Sequence, residues 1–599
     1  MGEYNAPLKD MSFVLNNVVD LDDLISIEKF EHAESDVVGA VLEEAAKLSG
    51  NVLSPLNKVG DLAGTSVRDG VVTSPEGWAE AYAQFVEGGW NGIAAPEEFD
   101  GGSMPQAVSL ATVEMWNAAN LAFALCPLLT QGAIESIIAH GSAEQQDTYL
   151  KKLVSGEWTA TMNLTESHAG SDVGALRSKA EPADDGSWRI SGQKIFITYG
   201  EHEMAENIIH LVLARTPGSP AGTRGISLFI VPKFLVNEDG SLGVRNDLTC
   251  VSVEEKIGIH ASPTCVMSYG DNGNCVGYLL GGENAGMACM FTMMNNARLN
   301  VGLQGLAVAE RAYQQAVEYA RERKQGRAIG AAKGESSPII KHADVRRMLM
   351  TMKAQIEAMR CLVYLNGTCL DKGHYHPDED VRTSSMGLAE LLTPLSKAWC
   401  TDLGVELASA AVQVHGGMGF IEETGVGQYY RDARILPIYE GTNGIQALDL
   451  IGRKLSLQGG APVKNLINDM EALAHQMSGE DENFCTISRQ LGVAVTALKE
   501  ATDWMYENAA RDPQAAPAGA TPYLRMFAVT VGGYLMAKSA IKAQELLSAG
   551  DPDTDFLKGK IITAKFFATQ VLPQAAALLG PVTEGADLLF AIEEDKLTA

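Results

Sequence analysis

Apolar residues recur at helical spacing over residues 37–48 and 75–87, so the N-terminal part of the chain reads as helices joined by polar loops. Gly88-Gly89-Trp90 and the stretch 96–102 punctuate it as turns. The pattern then changes. Residues 188–199, 207–215 and 225–232 are rich in Ile, Val, Leu and Phe. Turn clusters such as Thr216-Pro217-Gly218-Ser219-Pro220 separate them, which predicts strands at short spacing. Within Ile195-Phe196-Ile197-Thr198-Tyr199 side chains alternate between faces, so Phe196 and Thr198 point the same way.

Helical periodicity returns at about residue 286. Ala309, Ala312, Tyr313, Ala316, Val317 and Ala320 form one apolar stripe ending in the basic cluster 321–324. Thr393-Pro394 predicts a further helix start, with Thr as cap and Pro in the first position. Residues 455–462 read as a linker. Beyond it lie about four helices, broken by a Pro/Ala/Gly loop at 512–522. The expected organisation is a helical domain at 1–160, a β domain at 161–285, a helical bundle at 286–455 and an additional helical domain at 456–599. The fold class is therefore mainly α with a central β module. No alternating strand–helix units, no Gly-x-Gly-x-x-Gly after a strand and no Walker motif occur, which disfavours a Rossmann or P-loop enzyme.

Composition narrows the function. The length of 599 residues allows about three to five domains. With 46% apolar and 20% charged residues the chain is globular. A net charge of −29 argues against nucleic acid or an anionic membrane as the main partner. No uncharged apolar run reaches the roughly 18 residues of a spanning helix. The stretch 526–537, flanked by Arg525 and Lys538, reads as a buried helix. The N-terminus has no apolar signal region, and Ala6 stands where a myristoylation signal needs Ser or Thr. Nine scattered cysteines without a Cys-x-x-Cys pair point to reduced thiols, a cytoplasmic setting and no metal site.

The densest chemistry lies in Ile438-Tyr439-Glu440-Gly441-Thr442-Asn443. Glu440 stands between an aromatic ring and a flexible backbone, where partial desolvation raises a carboxylate toward the working pH of a general base. Taken alone it also reads as an ordinary helix-start acid beside Thr442. His415-Gly416-Gly417-Met418-Gly419-Phe420 lets a ligand or a helix approach the backbone closely. Met162-Asn163-Leu164-Thr165-Glu166-Ser167-His168-Ala169-Gly170-Ser171-Asp172 opens the β module with an anion- or carbonyl-holding turn or a plain Ser/Asx turn. Arg323, at a helix end, is either a solvated cap or a fork for pyrophosphate.

In this order these segments resemble the acyl-CoA dehydrogenase family across residues 80–455. The resemblance is carried by the Gly-rich run 88–102, Leu164 to Asp172, and Gly192-Gln193-Lys194-Ile195-Phe196-Ile197-Thr198. Glu255-Lys256-Ile257-Gly258-Ile259-His260, Tyr319-Ala320-Arg321-Glu322-Arg323-Lys324, Gln413 to Phe420, Arg431-Asp432-Ala433-Arg434 and the Glu440 motif complete it. Lys256 to Cys265 and Lys324-Gln325-Gly326-Arg327 are similar to the longer branch with an extra C-terminal helical domain. Within that branch Asp344-Val345-Arg346-Arg347-Met348-Leu349 resembles the subfamily acting on 3-methylthiopropanoyl-CoA in dimethylsulfoniopropionate demethylation.

The resemblance implies FAD, an acyl-CoA substrate oxidised to its trans-2-enoyl-CoA, and electron-transfer flavoprotein as acceptor. It places Glu440 as the base that takes the α-proton. The rival base position of another branch is Ala297 here. It implies that Met162, Leu164, Thr165, Phe196 and Thr198 line the flavin. Ser171, Arg323, Gln413, Gly416, Gly417 and Thr442 would hold the phosphates and adenosine, some from a second subunit. A homodimer or a dimer of dimers is therefore expected. Arg298, Tyr439 and Gly441 would face the substrate. Two departures stand out: the Phe after the Arg323 motif is missing, and Gly444 replaces a Gln. The competing functions are a general short- to long-chain acyl-CoA dehydrogenase, an acyl-CoA oxidase, and a non-catalytic acyl-CoA binder.

Overall fold

The computed structural model describes every residue except 1–3, 332–333, 478–480, 509–510, 512 and 599. The first three residues of the N-terminus read above, and residue 512 of the expected loop, lie outside the described residues. Five helices of the N-terminal region matter for the site: α1 (Ser35–Leu48), α2 (Trp78–Glu87), α3 (Gln106–Ala119), α4 (Leu121–His140) and α5 (Ala143–Ser155). Asn120 starts α4 by accepting the Phe123 amide at 3.1 Å. This helix is apolar on all faces because it is enclosed. It alone among the described residues has the length and composition to cross a membrane, and 83% of its apolar window is buried in the fold. A reciprocal Ser142–Gln145 capping box opens α5, and Gly156 closes it at φ +86°.

Eight strands form the central sheet: β1 (Trp158–Asn163), β2 (Lys179–Pro182), β3 (Trp188–Thr198), β4 (Asn207–Ala214), β5 (Ser227–Pro232), β6 (Leu248–Val253), β7 (Thr264–Tyr269) and β8 (Val276–Leu280). Their order is β6-β7-β3-β8-β5-β4-β1, with β2 also paired to β3. Only β1 and β4 run parallel. The two all-buried inner strands β4 and β5 are the continuous Ile/Leu/Val runs of the sequence. The register between β3 and β7 shifts between Cys265 and Met267, and Phe196 takes φ +61° there. This bulge leaves Phe196 58% exposed while Ile197 points inward.

Three long helices form the bundle, α6 (Gly286–Glu322), α7 (Ala343–Tyr375) and α8 (Glu379–His415), followed by α9 (Val426–Ala433) and α10 (Asn443–Asp449). Gly302 lets α6 press against α8: a Cβ there would sit 2.6 Å from the Ser396 carbonyl. Thr393-Pro394 does not start a helix, contrary to the local signal; it lies inside α8. The start is Asp378, which accepts the Asp380 amide at 2.8 Å. Packing against α6 and α7 carries the helix through the proline, and the Thr393 hydroxyl bonds back to the Ala389 carbonyl at 2.8 Å.

The last region contains α11 (Ala461–Gln476), α12 (Glu482–Asn508), α13 (Ala515–Ala549) and α14 (Thr554–Gln570), then shorter turns. The expected loop at 512–522 is another correction. From Ala515 onward it belongs to α13, whose first turn accommodates Pro517. Ala516, Gly519 and Ala520 are buried there, which favours helix over loop. The expected linker at 455–462 is a compact turn. Gln458 donates to the Thr383 carbonyl at 2.9 Å, and Tyr506 donates to the Leu455 carbonyl at 2.6 Å. A buried ion cluster fastens this region to the rest. Lys560 of α14 bonds Asp10 and Glu357, while Arg360 of α7 bonds Asp10, Glu114 and Glu310.

Candidate active site

The Glu440 motif forms a loop between α9 and α10, clamped from three directions. Tyr439 donates its hydroxyl to Gln304 of α6. Gln304 in turn donates to Asn117 of α3 at 3.1 Å. On the other side the Gln446 amide donates to the Gly441 carbonyl at 3.3 Å and reaches the Glu440 carbonyl at 3.5 Å. Thr442 caps α10 by accepting the Ile445 amide at 3.4 Å. Between the clamps both Glu440 and Gly441 are left-handed, at φ +54° and +82°. Glycine suits the second position because φ +82° strains any residue with a Cβ, which would also lie 2.7 Å from Gln446 Nε2. A glutamate at φ +54° is uncommon and is held there by its surroundings.

The turn leaves the Glu440 functional groups open. Among the described residues its carboxylate makes no hydrogen bond or ion pair, and its amide donates none. Burial pushes its pKa up, while Arg298 and Lys397 pull it back. Arg298 is buried on α6; it donates to Asn295 at 3.3 Å and its Nε has no partner. Burial lowers its pKa, against the pull of Asp449 and Glu440. Lys397 is wholly buried on α8, and burial pushes it down to about 7. Lys397, Asn443, Gln304 and Gln446 escaped the sequence reading. Lysine in the apolar stretch 391–399 was the one available signal.

Arg298 also borders a cavity of about 570 Å³ between α3, α4, α6, α7 and α8. Polar groups line much of it, including Asn91, Gln131, Asn295, Asn296 and Asn300. Two asparagines there are buried with an unpartnered oxygen, Asn91 and Asn300. Their nitrogens are spent on the Leu153 and Asn296 carbonyls, so the free oxygens are fixed as acceptors. Glu135 and Asp371 also face the cavity, and burial raises each to about 7.

On the β module, Leu164 and Thr165 follow β1 and lie beside the bulged end of β3, where Ile195 donates to the Thr165 carbonyl at 2.9 Å. Lys194 holds this corner by bonding the Leu164 carbonyl at 3.0 Å and Glu166 at 2.9 Å. Neither the Leu164 nor the Thr165 amide donates a hydrogen bond among the described residues. The Thr165 and Thr198 hydroxyls carry none either. Beside them lies the exposed Phe196 ring, with Met162 nearly buried on β1. An aromatic face bordered by unspent amides and hydroxyls fits a planar heterocycle with acceptor edges, as a flavin has.

The remaining candidates lie elsewhere. Arg323 caps the C-terminal end of α6, and Gln413, Gly416 and Gly417 close α8. Tyr319 stacks on His415 with ring centroids 4.4 Å apart, which brings these two ends together. Arg298 and Arg323 are both on α6, about 37 Å apart at 1.5 Å per residue. Thr442 stays with Glu440, and Ser171 is exposed on the β module. The Glu440 loop and the Arg323 end therefore do not meet within one chain. Ala297 is buried on α6 and carries no acid.

Residues 68–157, 161–271 and 284–455 match the N-terminal, middle and C-terminal domains of acyl-CoA dehydrogenase. Residues 466–593 match a domain described as acetyl-CoA dehydrogenase C-terminal like. The chain is 45% identical to 3-methylmercaptopropionyl-CoA dehydrogenase of Ruegeria pomeroyi, over 98% of this chain and 99% of that protein. It is 35% identical to a butyryl-CoA dehydrogenase of Syntrophomonas wolfei, over 95% of each. Among solved structures, an acyl-CoA dehydrogenase complexed with FAD from Bacillus anthracis shares the fold at a TM-score of 0.76 and 20% identity, covering 96% of this chain and 93% of that one.

Proposed function

The chain belongs to the acyl-CoA dehydrogenase family, and on that premise we propose that it oxidises 3-methylthiopropanoyl-CoA to 3-methylthioacryloyl-CoA. The activity class is that of an FAD-dependent acyl-CoA dehydrogenase; the acyl group is the proposal, and the Ruegeria relative supports it. The observation that carries the chemistry is Glu440, whose carboxylate and amide are both unspent on one left-handed turn.

In this reading Glu440 removes the α-proton. Its raised pKa brings a carboxylate nearer to the weakly acidic carbon it must deprotonate. Its own amide is a fixed donor for the thioester oxygen, where negative charge gathers as the proton leaves. Tyr439 and Gly441 hold the turn, and Arg298 supplies positive charge at the substrate. Bound FAD supplies the acceptor for the hydride leaving the β-carbon. Met162, Leu164, Thr165, Phe196 and Thr198 would seat its ring system. Ser171, Arg323, Gln413, Gly416, Gly417 and Thr442 would hold its phosphates and adenosine.

The separation of Arg298 from Arg323 supports a site shared between subunits, and so a homodimer at least. The exposed Met418, Phe420 and Ile421 beside the Arg323 end are apolar surface suited to such an interface. The cavity with its two fixed acceptors and the free Arg298 Nε suits the amide-bearing arm of the CoA thioester. We assign electron-transfer flavoprotein as acceptor and the cytoplasm as location, the latter on the cysteine pattern.

The test is kcat/KM for 3-methylthiopropanoyl-, butanoyl-, octanoyl- and palmitoyl-CoA with electron-transfer flavoprotein present. The methylthio substrate should lead. A longer acyl chain ahead by tenfold or more would replace it with the general dehydrogenase reading. Hydrogen peroxide released at the turnover rate without an added acceptor would make the enzyme an oxidase.

A further inference from the structure

Four lysines are buried among the described residues: Lys194, Lys233, Lys397 and Lys560. Three of them have a carboxylate within ion-pair distance, Lys194 with Glu166, Lys233 with Glu201, and Lys560 with Asp10 and Glu357. Lys397 has none. Its Nζ donates to a neutral partner, Asn443 Oδ1, at 2.9 Å. A buried ammonium without a carboxylate is costly and calls for a reason.

Asn443 gives that reason a location. It is the first residue of α10, three positions after Glu440. Its Nδ2 donates to the Ala398 carbonyl at 3.1 Å, Thr401 Oγ1 at 3.0 Å and Asp402 Oδ1 at 2.7 Å. One side chain thus ties the end of the catalytic turn to a full turn of α8, with the ammonium at its centre. We propose that Lys397 is a positioning residue for the base: it latches the Glu440 turn through Asn443 and, beside Arg298, supplies an unpaired positive charge that helps set the pH at which Glu440 is ionised.

The groups facing Glu440 are few. Arg298 approaches from α6 and Lys397 from α8, while Asp402 of α8 faces Lys397 and accepts from Asn443. Asp449 and its partner Arg453 stand behind Arg298, and Tyr439 belongs to the loop itself. Burial disfavours the Glu440 carboxylate and the two cations favour it; among the described residues neither cation has a carboxylate within ion-pair distance, and Lys397 is the one tied to the turn through Asn443. Removing its charge must therefore raise the pH at which Glu440 loses its proton. Lys397 in turn is pushed by burial to about 7, so its help fades as the pH rises through neutrality.

The proposal rests on Glu440 as the base, and Glu440→Gln tests that assignment separately. Lys397→Gln keeps a donor for Asn443 but removes the charge. In the FAD-loaded enzyme, the acid limb of the kcat/KM profile should move up by about one pH unit, with flavin content and thermal stability near wild type. Lys397→Met loses both charge and latch, so it should show the same shift with a lower kcat. Thr401→Val loosens Asn443 without touching charge and should leave the limb in place. If Glu440→Gln is inactive yet Lys397→Gln leaves the acid limb unmoved, Lys397 only packs the turn and the proposal fails. A Thr401→Val limb displaced as far as that of Lys397→Gln would overturn it too, because geometry alone would then set the limb.

Discussion

Two buried groups of charge in this molecule use the same residue types in opposite ways. In the cluster that joins the N-terminal segment, the bundle and the C-terminal helices, charges are spent on one another. Arg360 meets Glu114 at 3.0 Å and Glu310 at 2.9 Å, Lys353 meets Glu357 at 2.6 Å, and Tyr364 donates to Glu114 at 2.7 Å. At the Glu440 loop, Glu440, Arg298 and Lys397 influence one another without a contact as short as an ion pair. Close pairing cancels the field of each charge and fixes the elements that carry it. Separation leaves desolvated charge, which costs stability but remains available to a substrate. The first arrangement holds the domains together; the second leaves an unspent carboxylate, the one proposed as the base.

The comparison breaks first at Glu440. Glu440→Gln should lower dehydrogenation by roughly 10²–10⁴-fold, the range of a lost general base, while the flavin spectrum persists. Near-normal turnover would mean the open carboxylate is not the base. The next effect belongs to the paired cluster. Arg360→Met strands Glu114 and Glu310 without their cation, which costs about 3–5 kcal/mol. Chemical denaturation should read this loss, while the folded fraction keeps its turnover number. A cost below about 1 kcal/mol would show that the cluster is not the fastener inferred here.

Much of this contrast was legible in the sequence, but unevenly. The Glu440 motif, the strands of the β module and the buried stretch of α13 follow from local order, because apolar period and motif spacing are local properties. The left-handed Glu440 is not local, since glutamate alone gives no reason to expect φ +54°. Lys397 was missed because its partner lies 46 residues away, and the ion cluster because Lys560 and Asp10 are 550 residues apart. Pro394 misled in the other direction. Its local signal is a helix start, yet packing between α6 and α7 carries α8 through it. Phe196 and Thr198 were placed on one face by alternation; Phe196 is exposed and Thr198 half-buried on either side of the buried Ile197, and the bulge that exposes the ring was not foreseen.

A smaller effect tests the cavity on the Arg298 side. Asn300→Leu removes a fixed acceptor without touching the base. If the CoA arm lies there, KM should rise by about tenfold or less with kcat nearly constant, the signature of lost uniform binding. An unchanged KM would assign the cavity to water. A change in chain-length preference at constant affinity for CoA itself would assign it to the acyl tail.

The smallest effect separates the two groups by the sign of their response to pH. Burial alone would raise the Asp10 carboxyl, but Lys560 and Arg360 outweigh it and hold it well below the ordinary range. A depressed acid contributes stability that is fully present above its unfolded pKa of about 4 and is lost as the pH falls toward its folded value. Glu440 is raised, so its sign is reversed: the folded state prefers it protonated, and it costs stability as the pH climbs from its unfolded pKa of about 4 through its higher folded value. Stability measured from pH 3 to 7 should therefore rise less steeply in Asp10→Asn than in wild type, and more steeply in Glu440→Gln. The two variants bend the same curve in opposite directions because one carboxylate is paired and the other is buried without a partner. Parallel curves for both would mean that pairing and separation make no energetic difference here.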